Sequence, residues 1–483
     1  MIYVQHGQDT DRGSFAVVIP ALEVDDETGA CRQVAVKRVR ARHEFPSGKN
    51  YDDLHDQATK LFERERRIWC SLSPHPGLVP ALRATRIDGE PVLLLEYIYG
   101  ATLDEILAKP NGPLHPVDFL DLCDQLSSAL RHLHEICRVA HGDVSPQNIF
   151  YDGTGRTQLA DFSLAASIGE RYATSSNLSL TLRAPEQEDA LHVTPAVDTW
   201  KVAVCLLLAA RGESLSVATT GTQDFCGPRS HKTDVTSSVE RLIRSIDDET
   251  FKSSVRRFLL RATAPDPEKR FQDGGELADA VRALRSTNPR WSDSLEERQK
   301  IRRRLLFWSR TSPRSQDEAF NELKGIRADL LSGTYVSAAH RLLPETYYLL
   351  ARAAALSLEG YKRNLDLLEF ARSMAQTSVD IFDGDPRPLE IMIQVGKVLR
   401  EVNGGRGIDM RSERDFVRLF KKFRTFLRAH QVRELEGDLI QLEALGNNDA
   451  KMLLQEVHVE LAEFDRRLLL HYKNLEGRLI DRR

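Results

Sequence analysis

The spacing of apolar residues changes once along this chain, near residue 116, and that change limits what the chain can fold into. Before it, short runs read as strands: "RQVAVKRV" (32–39) sets β-branched residues in alternating register, and "PVLLLEYI" (91–98) is a second, buried strand. "DDETG" (25–29) marks a hairpin turn between apolar runs. One helical insertion interrupts this part, carrying the stripe Leu54, Leu61, Phe62, Ile68, Trp69 and Leu72. After the change, Phe119, Leu122, Leu126, Leu130 and Leu133 recur at three- and four-residue steps along one helical face. "RSTNPRWSDS" (286–295) breaks that periodicity and reads as a linker. Beyond it, 296–483 is helical in pattern, punctuated by "DGDPRP" (383–388), "NGGRG" (403–407) and "GNN" (446–448).

The expected architecture is therefore α+β. A β-rich lobe (about 1–98) and a helical lobe (99–286) make one bilobal domain, a linker spans 287–295, and an all-α domain of helical hairpins, solenoid-like, fills 296–483. A chain of 483 residues is too long for a single core, and 41% hydrophobic with 29% charged residues is the balance of a folded protein. A net charge of −4 points to neither nucleic acid nor an anionic membrane as partner. The six cysteines show no CxxC spacing and the fourteen histidines no ligand spacing, so neither a zinc site nor a disulfide framework is expected. Val202–Ala210, the longest apolar run, is short of the ~20 residues a membrane helix needs. "MIYVQHGQDTDRG" lacks the basic and apolar regions of a signal peptide, and the expected setting is cytoplasmic.

Phosphoryl transfer from a nucleotide needs cations against the β- and γ-phosphates, a lysine on the upstream phosphates and a carboxylate near the incoming hydroxyl. Residues of each kind occur here in one order. Lys37 ends the strand "VAVK", where a rigid register aims its ammonium, and Glu65 falls inside the apolar stripe of the inserted helix, where a carboxylate needs a partner. "HGDVSPQN" (141–148) then supplies His141, Asp143 and Asn148, and "LADFS" supplies Asp161.

Together these residues resemble the catalytic core of the eukaryotic-like (Hanks-type) Ser/Thr protein kinase superfamily, in a form similar to its bacterial members. The resemblance implies Asp143 as catalytic base, Asn148 and Asp161 as metal ligands, and Lys37 with Glu65 as the phosphate-positioning pair. It implies ATP and Mg2+ as cofactors, with Mn2+ as a substitute, and places Gly13, Ala16, Val18, Ala35 and Glu96 among the nucleotide contacts. "TLRAPEQ" (181–187), "VDTWKVAVCLLLAARG" (197–212) and "ATAPDPEKRF" (262–271) resemble protein kinases rather than small-molecule phosphotransferases of the same fold. By that resemblance Arg270 pairs with Glu186, and Asp198 holds the loop backbone.

The chain departs from the family pattern at five positions, one of them Ala16 in place of the last glycine of the phosphate-covering loop. Asp11 stands where the phosphate-covering loop has its first glycine, and Ser163 replaces the glycine of "DFG". Gly142 replaces the arginine that usually precedes the base, and Ser145 replaces a lysine that contacts the transferring phosphate. None of these removes a metal ligand or the base. The implied function is an ATP- and Mg2+-dependent protein kinase acting on Ser/Thr of a protein substrate, its own chain included, with a helical region that regulates it or binds a protein partner. A pseudokinase scaffold and a small-molecule phosphotransferase are the alternatives. The basic stretch "EERQKIRRRLLFWSR" (296–310) reads as a solvated helix face.

Overall fold

The computed structural model describes residues 2–4, 16–24, 31–40, 51–87, 89–108, 116–168, 182–187, 193–214, 231–242, 248–309, 316–331, 336–356, 364–381, 385 and 387–402, with short stretches between 414 and 457. Gly13, Asp11 and the 25–29 turn lie outside them. The elements open with β1 (Ile2–Val4), β2 (Ala16–Val24), β3 (Cys31–Val39), α1 (Tyr51–Ser71), β4 (Ala81–Ile87), β5 (Glu90–Glu96) and β6 (Gly100–Thr102). There follow α2 (Leu103–Ala108), α3 (Pro116–Arg131), β7 (Val139–Ala140), β8 (Ile149–Asp152), β9 (Thr157–Leu159), β10 (Ala166–Ser167) and α4 (Pro195–Arg211). The chain continues as α5 (His231–Leu242), α6 (Glu249–Ala262), α7 (Gly274–Ser286), α8 (Pro289–Ser309), α9 (Gln316–Leu331), α10 (Val336–Leu356), α11 (Leu365–Ile381) and α12 (Arg387–Val402).

These elements divide into two compact units, one of Met1–Arg40, Thr85–Tyr99 and Arg303–Arg483, the other of Ala41–Ala84 and Gly100–Arg302. In the first, a sheet of order β1-β2-β3-β5-β4 forms because its strands alternate apolar residues toward one face. Val17, Ile19, Val34, Val36 and Leu94 are buried, and Ile19 and Leu94 lie opposite Val36 in the antiparallel register. In the same unit consecutive helices pack on one another, α9 on α10, α10 on α11 and α11 on α12. Pro344 sits inside α10, and its carbonyl accepts a hydrogen bond from Ser378 Oγ of α11 at 2.8 Å.

The second unit is organised around α4. Thr194 caps its N-terminus by accepting from the Val197 N–H, Pro195 occupies the first turn, and Gly212 ends it in the left-handed conformation. Val197 through Ala210 are all buried, so this helix is a core element with no solvent face. Its polar members Asp198, Thr199 and Lys201 must therefore be satisfied inside the protein. Thr199 donates to the Phe271 carbonyl at 2.8 Å, and the other two reach the 141–148 loop.

Two expectations are corrected here. The 287–295 stretch is not an irregular linker, because α8 begins at Pro289. Proline is at home in the first turn of a helix, where its missing N–H has no partner to lose. Nor is the basic face of 296–310 simply solvated. Arg298 and Arg302 are buried, and Arg298 pairs with Asp118 at 2.6 Å and with Asp121 at 3.2 Å. Arg302 meets Asp121 at 2.6 Å and donates to the Thr154 and Gly155 carbonyls at 2.9 and 3.0 Å. Burial works against charge on Asp121, yet Arg302 and Arg298 hold its carboxyl below the ordinary range.

Candidate functional site

On the first unit's sheet, β-register brings part of the expected nucleotide set together. Val18 lies opposite Lys37, and Ala35 is two residues from Lys37 on the same strand, so all three share one face. Glu96 ends β5 opposite Val34 of β3. Ala16, at the start of β2, lies opposite Val39. Lys37 is only 3% exposed. Three residues past Glu96, Tyr99 packs edge-on against Tyr97 with ring centroids 5.0 Å apart. The Arg387 guanidinium of α12 lies 5.7 Å from the Tyr99 ring and 4.3 Å from the Tyr348 ring, and pairs with Glu345 and Asp385 at 2.7 and 2.6 Å.

The second unit carries Glu65, Asp143, Asn148 and Asp161. Glu65 is 3% exposed on α1. Nearby, Trp69 of the same helix packs on Phe162 at 4.9 Å and donates from Nε1 to the Val79 carbonyl at 2.8 Å. Arg64 reaches the Ala165 carbonyl at 2.6 Å, which ties α1 to the segment that follows Asp161.

The 141–148 loop is fixed from below by Asp198. Its Oδ2 accepts from the His141 N–H at 2.6 Å and pairs with His134 Nε2 at 3.0 Å, while its Oδ1 accepts from the Gly142 N–H at 2.8 Å. His134 Nδ1 accepts from the Gly274 N–H at 2.9 Å, which assigns the proton to Nε2 and makes that nitrogen the donor to Asp198. Burial opposes the charge on Asp198, but these donors, His134 first, hold its carboxyl below the usual range. The approach at α7 is close enough to require glycine, since a Cβ on Gly274 would lie 2.2 Å from the Arg131 nitrogen. Directly after α3, His132–Cys137 form a π-helical turn.

Gly142 is required for a different reason. Its φ is +79°, and a Cβ there would stand 2.6 Å from the Leu164 carbonyl oxygen and 2.9 Å from Val193 Cγ1. No arginine fits this backbone without displacing both neighbours. His141 stacks obliquely on Phe162 at 4.7 Å, and its Nδ1 accepts from the Asp143 N–H at 3.2 Å. Its Nε2 then donates to the Ala160 carbonyl at 3.1 Å, and burial pushes the imidazole's pKa down, keeping it neutral.

Asp143 and Asn148 are brought together directly. Asn148 Nδ2 donates to the Asp143 carbonyl at 2.8 Å and to its carboxylate Oδ2 at 3.2 Å. Asp143 Oδ1 accepts no hydrogen bond, though the Lys201 ammonium lies 3.7 Å away. Burial pushes the Asp143 carboxyl above its ordinary range, with Lys201 acting against the shift and the Asp161 charge adding to it.

Asp161 adopts a left-handed backbone, φ +64°, which aspartate tolerates better than most residues, and accepts from the Ser163 N–H at 3.1 Å. The left-handed residue of this turn is the aspartate itself, so serine at 163 meets no positive-φ requirement. With its amide nitrogen committed to Asp143, Asn148 retains its Oδ1 as a hard oxygen donor, alongside the Asp161 carboxylate. Among the described residues no group of three or more His, Cys, Asp or Glu side chains is placed to hold a metal ion. One carboxylate, one amide oxygen and substrate phosphates fit the way Mg2+ is usually held.

The Glu186–Arg270 pair is bidentate, with both contacts at 2.8 Å, and Arg270 also donates to the Pro265 carbonyl at 2.8 Å. Sequence reasoning missed Lys201 and His134. The signal for Lys201 was a lysine inside the otherwise apolar run "TWKVAVCLLLAA", since a buried ammonium demands a partner.

A β-rich part with a buried lysine and a helical part with two aspartates and an asparagine at this spacing are the features of a protein-kinase-type fold. The family model described as the protein kinase domain matches residues 6–281, more than half of the chain, and the chain belongs to that family. Among curated relatives, it is 29% identical over 257 residues to the serine/threonine-protein kinase PrkC of Bacillus subtilis, covering 51% of this chain and 35% of the relative. It is 27% identical over 273 residues to the serine/threonine-protein kinase PknA of Mycobacterium tuberculosis, covering 54% of this chain and 57% of the relative. The probable serine/threonine-protein kinase PknB of Lactococcus lactis shares 23% over 267 residues, 55% of this chain and 39% of the relative. The chain thus spans less than two thirds of the length of each of these relatives. Among the described residues no helix is long and apolar enough to cross a membrane.

Proposed function

We propose that this chain is a protein kinase that transfers the γ-phosphoryl group of ATP to Ser/Thr hydroxyls of a protein substrate, its own chain included. The observation that carries the reading is the state of Asp143. Its Oδ2 is held by Asn148 while its Oδ1 accepts no hydrogen bond, so the carboxylate is only partly satisfied and keeps the capacity to take a hydroxyl proton. Asn148 and Asp161 would hold Mg2+, which supplies, when bound, charge against the β- and γ-phosphates. Lys37, with Glu65 as its expected partner, would position the upstream phosphates, with Gly13, Ala16, Val18, Ala35 and Glu96 around the nucleotide. The bidentate Glu186–Arg270 pair favours a protein kinase over a small-molecule phosphotransferase. A cytoplasmic setting belongs to the same reading.

The helical region takes a regulatory role in this proposal. Support comes from Arg387, whose stacking on Tyr99 puts α12 beside the segment that follows Glu96. Replacing Arg387 by alanine should change the KM for ATP, and an unchanged KM argues against regulation by this route.

The catalytic reading is tested with Asp161→Ala in the full chain. Mg2+-dependent transfer to protein hydroxyls should be abolished while the melting temperature stays near that of the parent. Full retained activity would overturn the mechanism.

A further inference from the structure

Lys201 is the group the mechanism above leaves unused. It sits three residues after Asp198 on α4, its side chain has no exposed surface, and its Nζ donates to the Gly142 carbonyl at 2.6 Å. An ammonium taken wholly out of water is costly unless a counter-charge compensates it. The carboxylates facing it are Asp143 and Asp198, and the neighbouring Cys205 has its thiol pushed up by burial and stays neutral. Both oxygens of Asp198 already hold His141, Gly142 and His134. Asp143 is the carboxylate with an oxygen to spare, 3.7 Å from Nζ. On the loop itself, Ser145 occupies the position of the lysine that such kinases carry, and its buried Oγ has no hydrogen-bond partner.

We propose that Lys201 is a positioning residue for phosphoryl transfer: from the core helix beneath the loop it supplies positive charge to Asp143, on a loop where Ser145 supplies none. The proposal rests on the kinase reading above. The ammonium holds one edge of the carboxylate while Asn148 holds the other, so the base is clamped between a charge and an amide. The loop thus takes its positive charge from the helix that supports it.

The alternative is a purely mechanical prop for the Gly142 carbonyl, and charge and prop can be separated. Lys201→Gln keeps an N–H donor for that carbonyl and removes the charge. In the full chain its kcat should fall about 10²-fold, the scale of losing one preorganised charge, with the KM for ATP within about threefold and melting close to the parent. Adding Ser145→Lys to that variant should restore at least about tenfold of the lost kcat by returning a charge from the loop side. A Lys201→Gln variant within about threefold of the parent kcat would overturn the proposal. So would a folded, ATP-binding Lys201→Gln variant whose kcat Ser145→Lys leaves unchanged. If Lys201→Gln does not fold, the effect of charge is read in Lys201→Met with Ser145→Lys against Lys201→Met alone, by the same criterion. Parent and Asp161→Ala run alongside. Equal, background-level transfer in those two would remove the kinase reading, and this proposal with it, independently of Lys201.

Discussion

At the floor of the 141–148 loop, Asp198 has no exposed surface and receives the His141 N–H, the Gly142 N–H and His134 Nε2. At the rim of the same loop, Asp143 keeps 16% of its side-chain exposure, receives Asn148, and leaves an oxygen without a hydrogen bond. Burial pushes both carboxyls upward, yet Asp198 ends below its ordinary range and Asp143 above it. The difference lies in how many donors each is given. A carboxylate whose oxygens are all occupied is a stable anchor and a poor proton acceptor. One left partly unsatisfied costs stability and gains reactivity, which is the distribution a catalytic base and its support require.

The largest effect should come from Asp198→Ala, which strands buried donors and should cost about 3–5 kcal/mol of stability, read by urea unfolding. The pH dependence sharpens this. The folded pKa of Asp198 lies below the unfolded value of about 3.9, so its contribution is complete above about pH 3.9 and is lost as pH falls through the folded value. The gap between parent and variant should narrow below about pH 4, and a gap that widens there would break the comparison.

Asp143→Asn should lower turnover by about 10²–10⁴. Its stability should stay within about 1 kcal/mol of the parent, because a carboxyl with a raised folded pKa contributes no net stabilisation in its charged form at neutral pH. A loss as large as that of Asp198→Ala would make the two aspartates equivalent.

Asp121 is a third test, buried like Asp198 and held below its ordinary range by two arginines. Arg302→Lys, which loses the forked contact to Asp121, should cost about 1.5–3 kcal/mol in the full chain. The smallest effect belongs to the surface pair Glu240–Arg256, where Glu240→Gln should change stability by less than about 1 kcal/mol.

Much of this contrast was legible before any coordinates. The strands around Lys37 and Glu96 and the α1 stripe holding Glu65 follow from residue types at readable spacings, while the Glu186–Arg270 pair and the Asp198 anchor followed only from the resemblance to protein kinases. Lys201 did not follow, because the apolar run around it identifies a buried helix without saying which loop that helix meets. Nor did α8, because Pro289 and its polar neighbours carry the same signal whether they end order or start a helix. The bond from His134 to Asp198 depends on a π-helical turn, and a periodicity argument built on 3.6 residues does not anticipate one.

The most direct test is mass-spectrometric mapping of phosphate on the full chain and an added protein substrate, incubated with ATP and Mg2+, for the parent and for Asp143→Asn. The account predicts Mg2+-dependent phosphate on Ser or Thr side chains with the parent, and at most about a hundredth of it with the variant. Equal phosphorylation by the two proteins would contradict it.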